Sequence, residues 1–504
     1  MPQIANKYLY LILALVITIS FLCADGLHVI NYPPRSIHQW RQSDCAAYAK
    51  TYYYKNSGLF TPSTYNLAGK DGRVISEFPI IYYISAKLFH VFGLRYAVVR
   101  GLTFLCFFIG LCYLLSCIRL WIKKPIPAIF PVIILATSPF FYYYALNFLP
   151  NVPAISFSFV GLYYFLRYQR SGSNKYLWIG TLVIIFSSLL KPTDGTLVWF
   201  AWLGVAGIHI VFKKKDPLFN VKLIPIIIST AFIFASIYGW YKFANWYNDT
   251  YGNHQNLLGI YPIWDISWND IGYTITRMTD FWLKGYQQYY IMLFLGLMFI
   301  TYLIKWKKLD SFLRLFTLFV ILGAFAYDIL WFKAFAVHDY YHLVNVIPPV
   351  FICLSVFEYY ERVIAVRINT KLRNTVAIVL ALMMVLSIYH NRNIQHERYT
   401  DPIFVYINPD LYKVEPYLRK IGVRQQDAVV CVPDPSPNMS LTAISNKGYT
   451  ESFNGDGYNI INFQKMGAAY LIISDSSYLH KPLYQPFTTK LIGRYNGIYI
   501  FDIR

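Results

Sequence analysis

The sequence predicts an all-α polytopic membrane domain followed by a small extracytoplasmic α/β domain. Three observations support this prediction. Hydrophobic residues make up 56% of the 504 residues and charged residues only 14%, whereas soluble domains contain about 25% charged residues. Apolar stretches of membrane-spanning length recur up to residue 390 and then stop. The formal net charge is +20, and most of the excess positive charge lies in short segments between these stretches.

Eleven apolar stretches are candidate transmembrane helices, because a hydrocarbon core of about 30 Å needs about 20 apolar residues in a helix. The first also resembles a signal peptide, but its only basic residue is Lys7, and Phe21-Leu22-Cys23 lacks the small residues of a cleavage site. We therefore expect a retained first helix. The predicted helices are 8–24, 97–118, 126–146, 151–167, 176–190, 194–212, 222–242, 287–304, 312–332, 343–360 and 373–390.

The connecting segments alternate in charge, which predicts the orientation of the chain. One set is short and basic, and the positive-inside rule places it in the cytoplasm with the N-terminus. The other set includes two long loops, 25–96 and 243–286, whose acids and bases nearly balance, and it is expected outside. The basic set contains Lys7, Arg119, Lys123, Lys124, Arg167, Arg170, Lys175, Lys213, Lys214, Lys215, Lys222, Lys305, Lys307, Lys308, Arg314, Arg362, Arg367, Lys371 and Arg373.

Residues 391–504 form the predicted second domain, after a membrane domain of residues 1–390. An odd number of spans places this tail on the extracytoplasmic side. Its pattern predicts an amphipathic helix over 410–422 and short strands over 428–432, 469–474 and 496–501. A tail of this size and pattern fits a small α/β domain.

Ionisable side chains at membrane depth are costly, and they mark candidate functional sites. Those outside the basic segments fall almost entirely at the predicted external ends of the helices. Their shared depth predicts a single outward-facing cavity. They are Asp44, Glu77, Arg100, Asn151, Lys191, Asp194, Asp328, His338 and Asp339.

The first external loop offers two carboxylates for proton transfer. Residues 38–50 predict a helix start, with Asp44 and Tyr48 on one face. Glu77 precedes an apolar, interfacial helix predicted over 80–92. A carboxylate near apolar residues can act as a general base. A structural alternative is an acid stabilised by the helix dipole.

Lys191 and the stretch 337–342 also admit two interpretations each. Lys191 suits a lipid phosphate as a point charge, or it pairs with Asp194 and extends its ammonium towards water. His338 and Tyr341 belong to VHDYYH at the membrane interface, where tyrosine belts are common for structural reasons. Aromatic and amide residues in loop 243–286 suit sugars, although this signal is weak.

The order of several motifs resembles a known family. The motifs are WRQSD at 40–44, SEFP at 76–79, SPFFYYYALNFLPNVPA at 138–154, LLKPTDG at 189–195 and HDYYHLVNVIPP at 338–349. Together they resemble the GT-C superfamily of polytopic glycosyltransferases. The nearest branch is the protein-mannosyltransferase-like one, of glycosyltransferase family 39 type, which includes the aminoarabinose transferases. The resemblance covers residues 1–390, and the tail resembles the small extracytoplasmic domain of many members.

The resemblance implies an enzyme of the plasma (bacterial inner) membrane. It would be a hexosyl- or pentosyltransferase that moves a sugar from a polyprenyl-phosphate donor to a hydroxyl of a glycan, lipid or protein acceptor. Asp44 matches the aspartate thought to activate the acceptor, and Glu77 matches an acid that orients the loop or the acceptor, so these two are the catalytic candidates. The substrate-binding candidates are Arg41, Arg100, Lys191, His338 and Tyr341.

The chain departs from the family pattern at two positions. Phe78 replaces a basic residue found in many members, and Asn151 replaces an acidic one. No second acid completes a metal site, and the seven cysteines have no zinc or disulfide spacing. We therefore predict no metal and no cofactor apart from the donor substrate.

Two other functions fit the composition. A transporter or flippase for lipid-linked glycans would carry ionisable groups near the bilayer midplane, where this chain has almost none. A glycan polymerase or ligase would share the external face and the lipid-linked substrate. Nucleic acid is excluded as a partner, because the basic clusters lie at helix ends and no soluble domain presents them.

Overall fold

The structure is a computed structural model, and it describes residues 2–212, 220–253, 259–364, 369–452 and 460–504. Each of the eleven predicted stretches coincides with helical structure. Lys213 to Lys215 and Arg367 of the basic set, and positions 254–258 of the predicted loop 243–286, lie outside the described residues. The helices up to residue 400 are α1 Pro2–Cys23, α2 Gly26–Val29, α3 Gln39–Lys55, α4 Ile80–Phe92, α5 Tyr96–Ile118, α6 Pro125–Ala136, α7 Pro139–Ala145, α8 Asn151–Ser171, α9 Asn174–Leu190, α10 Pro192–Val211, α11 Leu223–Tyr251, α12 Trp268–Arg277, α13 Tyr289–Ile304, α14 Ser311–Leu330, α15 Pro348–Tyr359 and α16 Thr370–Thr400.

Six of the described helices are long and apolar enough to cross a membrane, and up to eight if each of two bent pairs is one span. The bent pairs are α6 with α7, at 68°, and Trp268–Gly285 with α13, at 102°. The first bend falls just before Pro139, the first residue of α7. Proline is well suited to the first position of a helix, but it lacks the backbone N–H that would continue the preceding helix. The chain is thus a multi-pass membrane protein, while the number eleven stays a prediction.

Close backbone contact joins helices in the centre of the membrane domain. A Cβ atom added to Gly110 of α5 would lie 2.5 Å from the Cα atom of Ser156 in α8. Apolar residues attract one another little within lipid, so small residues that permit such contact are typical of helix interfaces there.

The first long loop, residues 25–96, contains the two helices that the sequence predicts. Helix α3 begins at Gln39, after His38 in the left-handed conformation, and α4 has the predicted bounds of 80–92. Between them, the backbone N–H of Phe78 donates to the carbonyl of Leu189, at 3.0 Å. This bond fixes the segment 76–79 against the end of α9, and so places Glu77 next to Lys191.

A mixed five-stranded sheet forms the core of the C-terminal part. The predicted strands are found at β1 Ala428–Val432, β3 Ala468–Ile473 and β5 Ile498–Asp502, and the sequence analysis missed β2 Gly448–Tyr449 and β4 Leu491–Tyr495. The strand order is β2-β1-β3-β5-β4. Strand β1 pairs parallel with β2 and β3, whereas β5 pairs antiparallel with β3 and β4.

Three short helices pack around this sheet. They are α17 Glu415–Lys420, α18 Met439–Ile444 and α19 Ile460–Lys465. Helix α18 also contacts α3. The predicted helix 410–422 is split into the 3₁₀ turn Pro409–Tyr412 and α17. Helix α16 continues to Thr400, past the predicted domain boundary at residue 390.

The C-terminal part packs directly on the loop of residues 25–96. Lys50 of α3 donates to the carbonyl of Thr442 in α18, at 2.8 Å. Gly448 of β2 exchanges backbone hydrogen bonds with Tyr65 and Leu67, each 2.9 Å long. The loop therefore extends the sheet at its β2 edge, and α3 lies between the membrane helices and the C-terminal part.

Candidate functional site

Asp44 lies on α3 at the contact between the two parts of the chain. Its carboxylate is partly buried and accepts a hydrogen bond from the side chain of Asn438, at 3.4 Å. Burial raises the pKa of Asp44 to about 7, although Arg41 and Asn438 act in the opposite direction. A carboxyl group with this pKa can accept a proton near neutral pH.

Glu77 holds two cations. Arg41 and Ser76 donate to one carboxylate oxygen, and the ammonium of Lys191 lies 3.3 Å from the other. Burial alone would raise the pKa of Glu77, but Arg41 and Lys191 outweigh it, so the pKa lies well below its ordinary value. We call Arg41, Glu77 and Lys191 the Glu77 cluster. It contains two positive charges and one negative charge.

The Glu77 cluster bears on two interpretations of the sequence. An ionised Glu77 is a poor proton acceptor near neutral pH, so its geometry favours the orienting role over the general base. Lys191 forms its ion pair with Glu77, whereas Asp194 accepts a hydrogen bond from Asn151. The arrangement therefore differs from the alternative in which Lys191 pairs with Asp194.

His338 and Tyr341 lie beside this cluster. The ammonium of Lys191 is 5.7 Å from the ring centre of Tyr341. The ring of His338 stacks on Tyr340 at 5.1 Å, and its buried Nδ1 atom has no hydrogen-bond partner among the described residues. Burial lowers the pKa of His338 to about 3, aided by His38. A neutral imidazole can exchange hydrogen bonds with a ligand but adds no positive charge.

Asp339 forms an ion pair with Arg398 behind His338, and His38 and Tyr144 contact the same carboxylate. The Asp339 carboxylate accepts hydrogen bonds from Tyr144 and from Arg398, the latter at 2.9 Å, and lies 2.9 Å from Nε2 of His38. We call His38, Tyr144, Asp339 and Arg398 the Asp339 cluster. No local pattern links residues so far apart, so the roles of His38, Tyr144 and Arg398 were not predicted.

Arg100 stands apart from both clusters. It is fully buried and donates to the backbone carbonyls of Tyr32, Pro33 and Leu146. Its guanidinium also lies 4.5 Å from the ring centre of Phe148. These contacts connect α5 to the segment after α2 and to the end of α7, which is a structural role. The site therefore brings together Arg41, Asp44, Glu77, Lys191, His338 and Tyr341, but leaves out Arg100.

An apolar cavity of about 270 Å³ lies elsewhere, between α6, α13 and α15. Its lining includes Ile134, Leu135, Met292, Leu295 and Val350, and contains no member of the Glu77 cluster. Such a lining suits a hydrocarbon group better than a charged one.

No group of three or more His, Cys, Asp or Glu side chains within the described ranges is arranged to hold a metal ion. The negative charges of the site have protein partners instead. Glu77 is paired with two cations and Asp44 has a neutral amide donor.

Comparisons with known proteins agree with this fold. Residues 76–241 match the family model described as dolichyl-phosphate-mannose-protein mannosyltransferase. No curated protein sequence matches the chain. ArnT from Cupriavidus metallidurans bound to undecaprenyl phosphate is similar in structure, with a TM-score of 0.65 at 10% sequence identity over 98% of both chains.

Two further solved structures share the fold. ArnT from the same organism in the apo state has a TM-score of 0.62 at 11% identity, over 99% of this chain and 98% of that one. The arabinofuranosyltransferase AftD from Mycobacteria has a TM-score of 0.53 at 11% identity, over 99% of this chain and 41% of that one. The family-model match supports the predicted resemblance to the GT-C superfamily, and the likeness to ArnT and AftD is one of fold.

Proposed function

We propose that this chain is an integral membrane glycosyltransferase that transfers a sugar from a polyprenyl-phosphate donor to an acceptor hydroxyl on the extracytoplasmic face. The observation that carries the proposal is the Glu77 cluster beside Asp44. It places Arg41 near a carboxyl group that can take up a proton, and it holds Lys191 against the other oxygen of Glu77. The shared fold with ArnT, which was solved with undecaprenyl phosphate bound, supports the choice of donor.

Asp44 acts as the general base in this reaction. It accepts the proton of the acceptor hydroxyl while that oxygen forms a bond to the anomeric carbon of the sugar. The bond from the anomeric carbon to the phosphate oxygen breaks at the same centre, and polyprenyl phosphate leaves with the electron pair. The pKa of about 7 suits this step, since a general base works best when its pKa lies near the working pH.

Arg41 and Lys191 stabilise the phosphate as it leaves. Fixed cations aimed at developing negative charge are a large source of catalysis, because they need no reorganisation during the reaction. Glu77 orients both cations and stays ionised. The ammonium of Lys191 has three N–H donors and lies 3.3 Å from Glu77, so two donors remain for phosphate oxygens.

His338 and Tyr341 bind the donor through hydrogen bonds at the edge of the Glu77 cluster. We expect activity without a divalent metal, since the two cations serve the phosphate directly. The acceptor is a glycan, lipid or protein hydroxyl, and the transferred sugar is a hexose or a pentose. The N-terminus is cytoplasmic and the C-terminal part extracytoplasmic in this proposal, and nucleic acid has no role.

The test is donor turnover by purified protein in lipid nanodiscs. A panel of undecaprenyl-phosphate hexoses and pentoses is offered with glycan, lipid and peptide acceptors, and release of undecaprenyl phosphate is measured. We expect release with at least one donor and its loss in Asp44→Asn. Asp265→Asn is the matched control, because Asp265 is an exposed aspartate distant in sequence from these motifs. Full turnover in Asp44→Asn contradicts the base assignment, and movement of lipid-linked glycan across vesicles without transfer favours a transporter.

A further inference from the structure

Asn438 is the one residue of the C-terminal part with a described hydrogen bond to the Asp44 side chain. It ends the segment Pro433–Asn438, which leads from β1 to α18. Its side chain is fully buried, and its Nδ2 atom lies 3.4 Å from Oδ1 of Asp44. A buried amide therefore reaches the carboxylate from the domain opposite the membrane helices.

The other end of the amide determines which atom faces Asp44. Oδ1 of Asn438 accepts a hydrogen bond from the backbone N–H of Tyr65, at 3.2 Å. A backbone N–H can only donate, so it requires the carbonyl oxygen of the amide on that side. The NH₂ group must then point at Asp44, where it can only donate.

A buried aspartate holds the segment that carries Asn438. Oδ1 of Asp434 accepts from the backbone and the hydroxyl of Ser436, at 2.9 and 2.8 Å, while Oδ2 accepts from the backbone of Ser440, at 2.7 Å. The Ser436 hydroxyl in turn accepts from the backbone N–H of Asn438, at 3.2 Å. These bonds fix the backbone on both sides of Asn438, as a positioned functional group requires.

The surrounding interface is polar and specific. Besides the bond between Lys50 and Thr442, Asn66 donates to the carbonyl of Pro437 at 2.6 Å. The hydroxyl of Thr442 donates to the carbonyl of Ser43 at 3.4 Å. Asn66 thus contacts the segment that carries Asn438, but the side chain of Asn66 bonds to the backbone of Pro437 and not to Asp44.

We propose that Asn438 is a positioning residue that orients the Asp44 carboxylate for proton transfer, so that the C-terminal part completes the catalytic site of the membrane domain. This inference rests on the proposed function of Asp44. A donor that points at one carboxylate oxygen restrains rotation of the group and leaves the other oxygen for the acceptor hydroxyl. It also favours the ionised form, which is the form that accepts the proton.

Three charged groups face Asp44 besides this amide. Arg41 on the same helix favours ionisation, whereas Glu77 on the loop before α4 and Asp434 on the segment before α18 oppose it. Removal of the Asn438 donor leaves these three unchanged. The pKa of Asp44 should then rise, and the acid limb of the pH–rate profile should move to higher pH.

The test compares pH–rate profiles of the full-length protein in nanodiscs with the undecaprenyl-phosphate sugar that the wild type turns over best. In Asn438→Leu we expect the acid limb to move up by about 0.5 to 1 pH unit, as for loss of one long hydrogen bond to a carboxylate. Asn438→Asp keeps an acceptor for Tyr65 but places a second carboxylate beside Asp44, so a larger upward movement is expected. Asn66→Ala is the control for a loosened interface, and the acid limb of its pH–rate profile should match that of the wild type.

A second readout separates this inference from the proposed function. The carboxyl band that disappears from the infrared spectrum in Asp44→Asn is titrated in the wild type and in Asn438→Leu. A higher midpoint in Asn438→Leu supports the inference even if no donor is turned over, in which case the proposed function alone fails. The inference is overturned if both Asn438 variants keep the acid limb of the pH–rate profile and the infrared titration midpoint of the wild type. It is also overturned if Asn66→Ala moves the acid limb as far as the Asn438 variants do. Melting temperatures identify a variant that fails to fold, and the other Asn438 variant then decides.

Discussion

The Glu77 and Asp339 clusters are each built around one carboxylate, but the two carboxylates differ in their access to solvent. In each, one carboxylate faces two basic side chains. The Glu77 side chain is 11% exposed, and those of Arg41 and Lys191 are each 18% exposed. The Asp339 side chain is 0% exposed and that of Arg398 only 6%. A ligand can therefore reach every member of the Glu77 cluster. In the Asp339 cluster the pair of Asp339 and Arg398 is enclosed by protein, and His38 is 13% exposed.

This difference gives the two clusters different roles. The Asp339 cluster connects the start of α3 through His38, α7 through Tyr144 and the end of α16 through Arg398. It ties together elements distant in sequence around the site. The Glu77 cluster fixes two cations at the edge of the site. The same chemical pairing thus supports structure in one place and, in our proposal, substrate binding in the other.

The largest expected effect is on stability and belongs to Asp339. Asp339→Ala should lower the free energy of unfolding by about 3–5 kcal/mol, since it leaves the buried charge of Arg398 without its partner. Thermal unfolding in detergent measures the loss. Glu77→Gln is the matched comparison and should be less destabilising, because its cations can be hydrated. Equal losses in the two variants would remove the distinction between the clusters.

The next effect concerns activity and belongs to Lys191. Lys191→Met keeps the length of the side chain but removes the charge, and turnover should fall by about 100- to 1000-fold, as for loss of one group that stabilises developing charge. Donor turnover and melting temperature are measured together. A similar fall in Lys333→Met, which changes an exposed lysine outside the cluster, would show that the effect is not specific to the cluster.

A smaller effect is the response to pH. Burial raises the pKa of Asp44 to about 7, so Asp44 is protonated below this pH and cannot serve as a base. Turnover should rise about tenfold per pH unit below pH 7 and level off above it, since one proton is lost. Glu77 stays ionised over the same range because of Arg41 and Lys191. A profile that is flat between pH 5 and about 8 would contradict the assignment of Asp44 as the titrating base.

The smallest expected effect is that of chelation. Because the Glu77 cluster already offers two cations to the phosphate, EDTA treatment should leave turnover within about twofold of its untreated value. Turnover with added Mg²⁺ or Mn²⁺ after chelation is the comparison. Loss of activity with EDTA and its return with one metal would show that the cations of this cluster are insufficient.

Local sequence patterns determined the positions of most elements. Each predicted apolar stretch coincides with helical structure, although the stretch 126–146 is broken into α6 and α7. Helix α4 has the predicted bounds 80–92, and strand β1 has the predicted bounds 428–432. Such patterns predict elements because a helix or a strand forms from residues close together in sequence. Burial of one face, or of the whole segment, leaves a regular spacing of apolar residues. The short β2 and the exposed β4 were missed, since two residues, or a strand with little burial, give almost no pattern.

The sequence by itself also marked Arg41, Asp44, Glu77, Lys191, His338 and Tyr341 as candidates, through their depth in the membrane and a resemblance in motif order. Only the tertiary structure decided their partners. Glu77 meets Lys191 across 114 positions of the chain, and Asp44 meets Asn438 across 394. Arg100 shares the predicted depth but points into backbone carbonyls. The pairing of charges depends on how helices and domains pack, and local sequence carries no record of that packing.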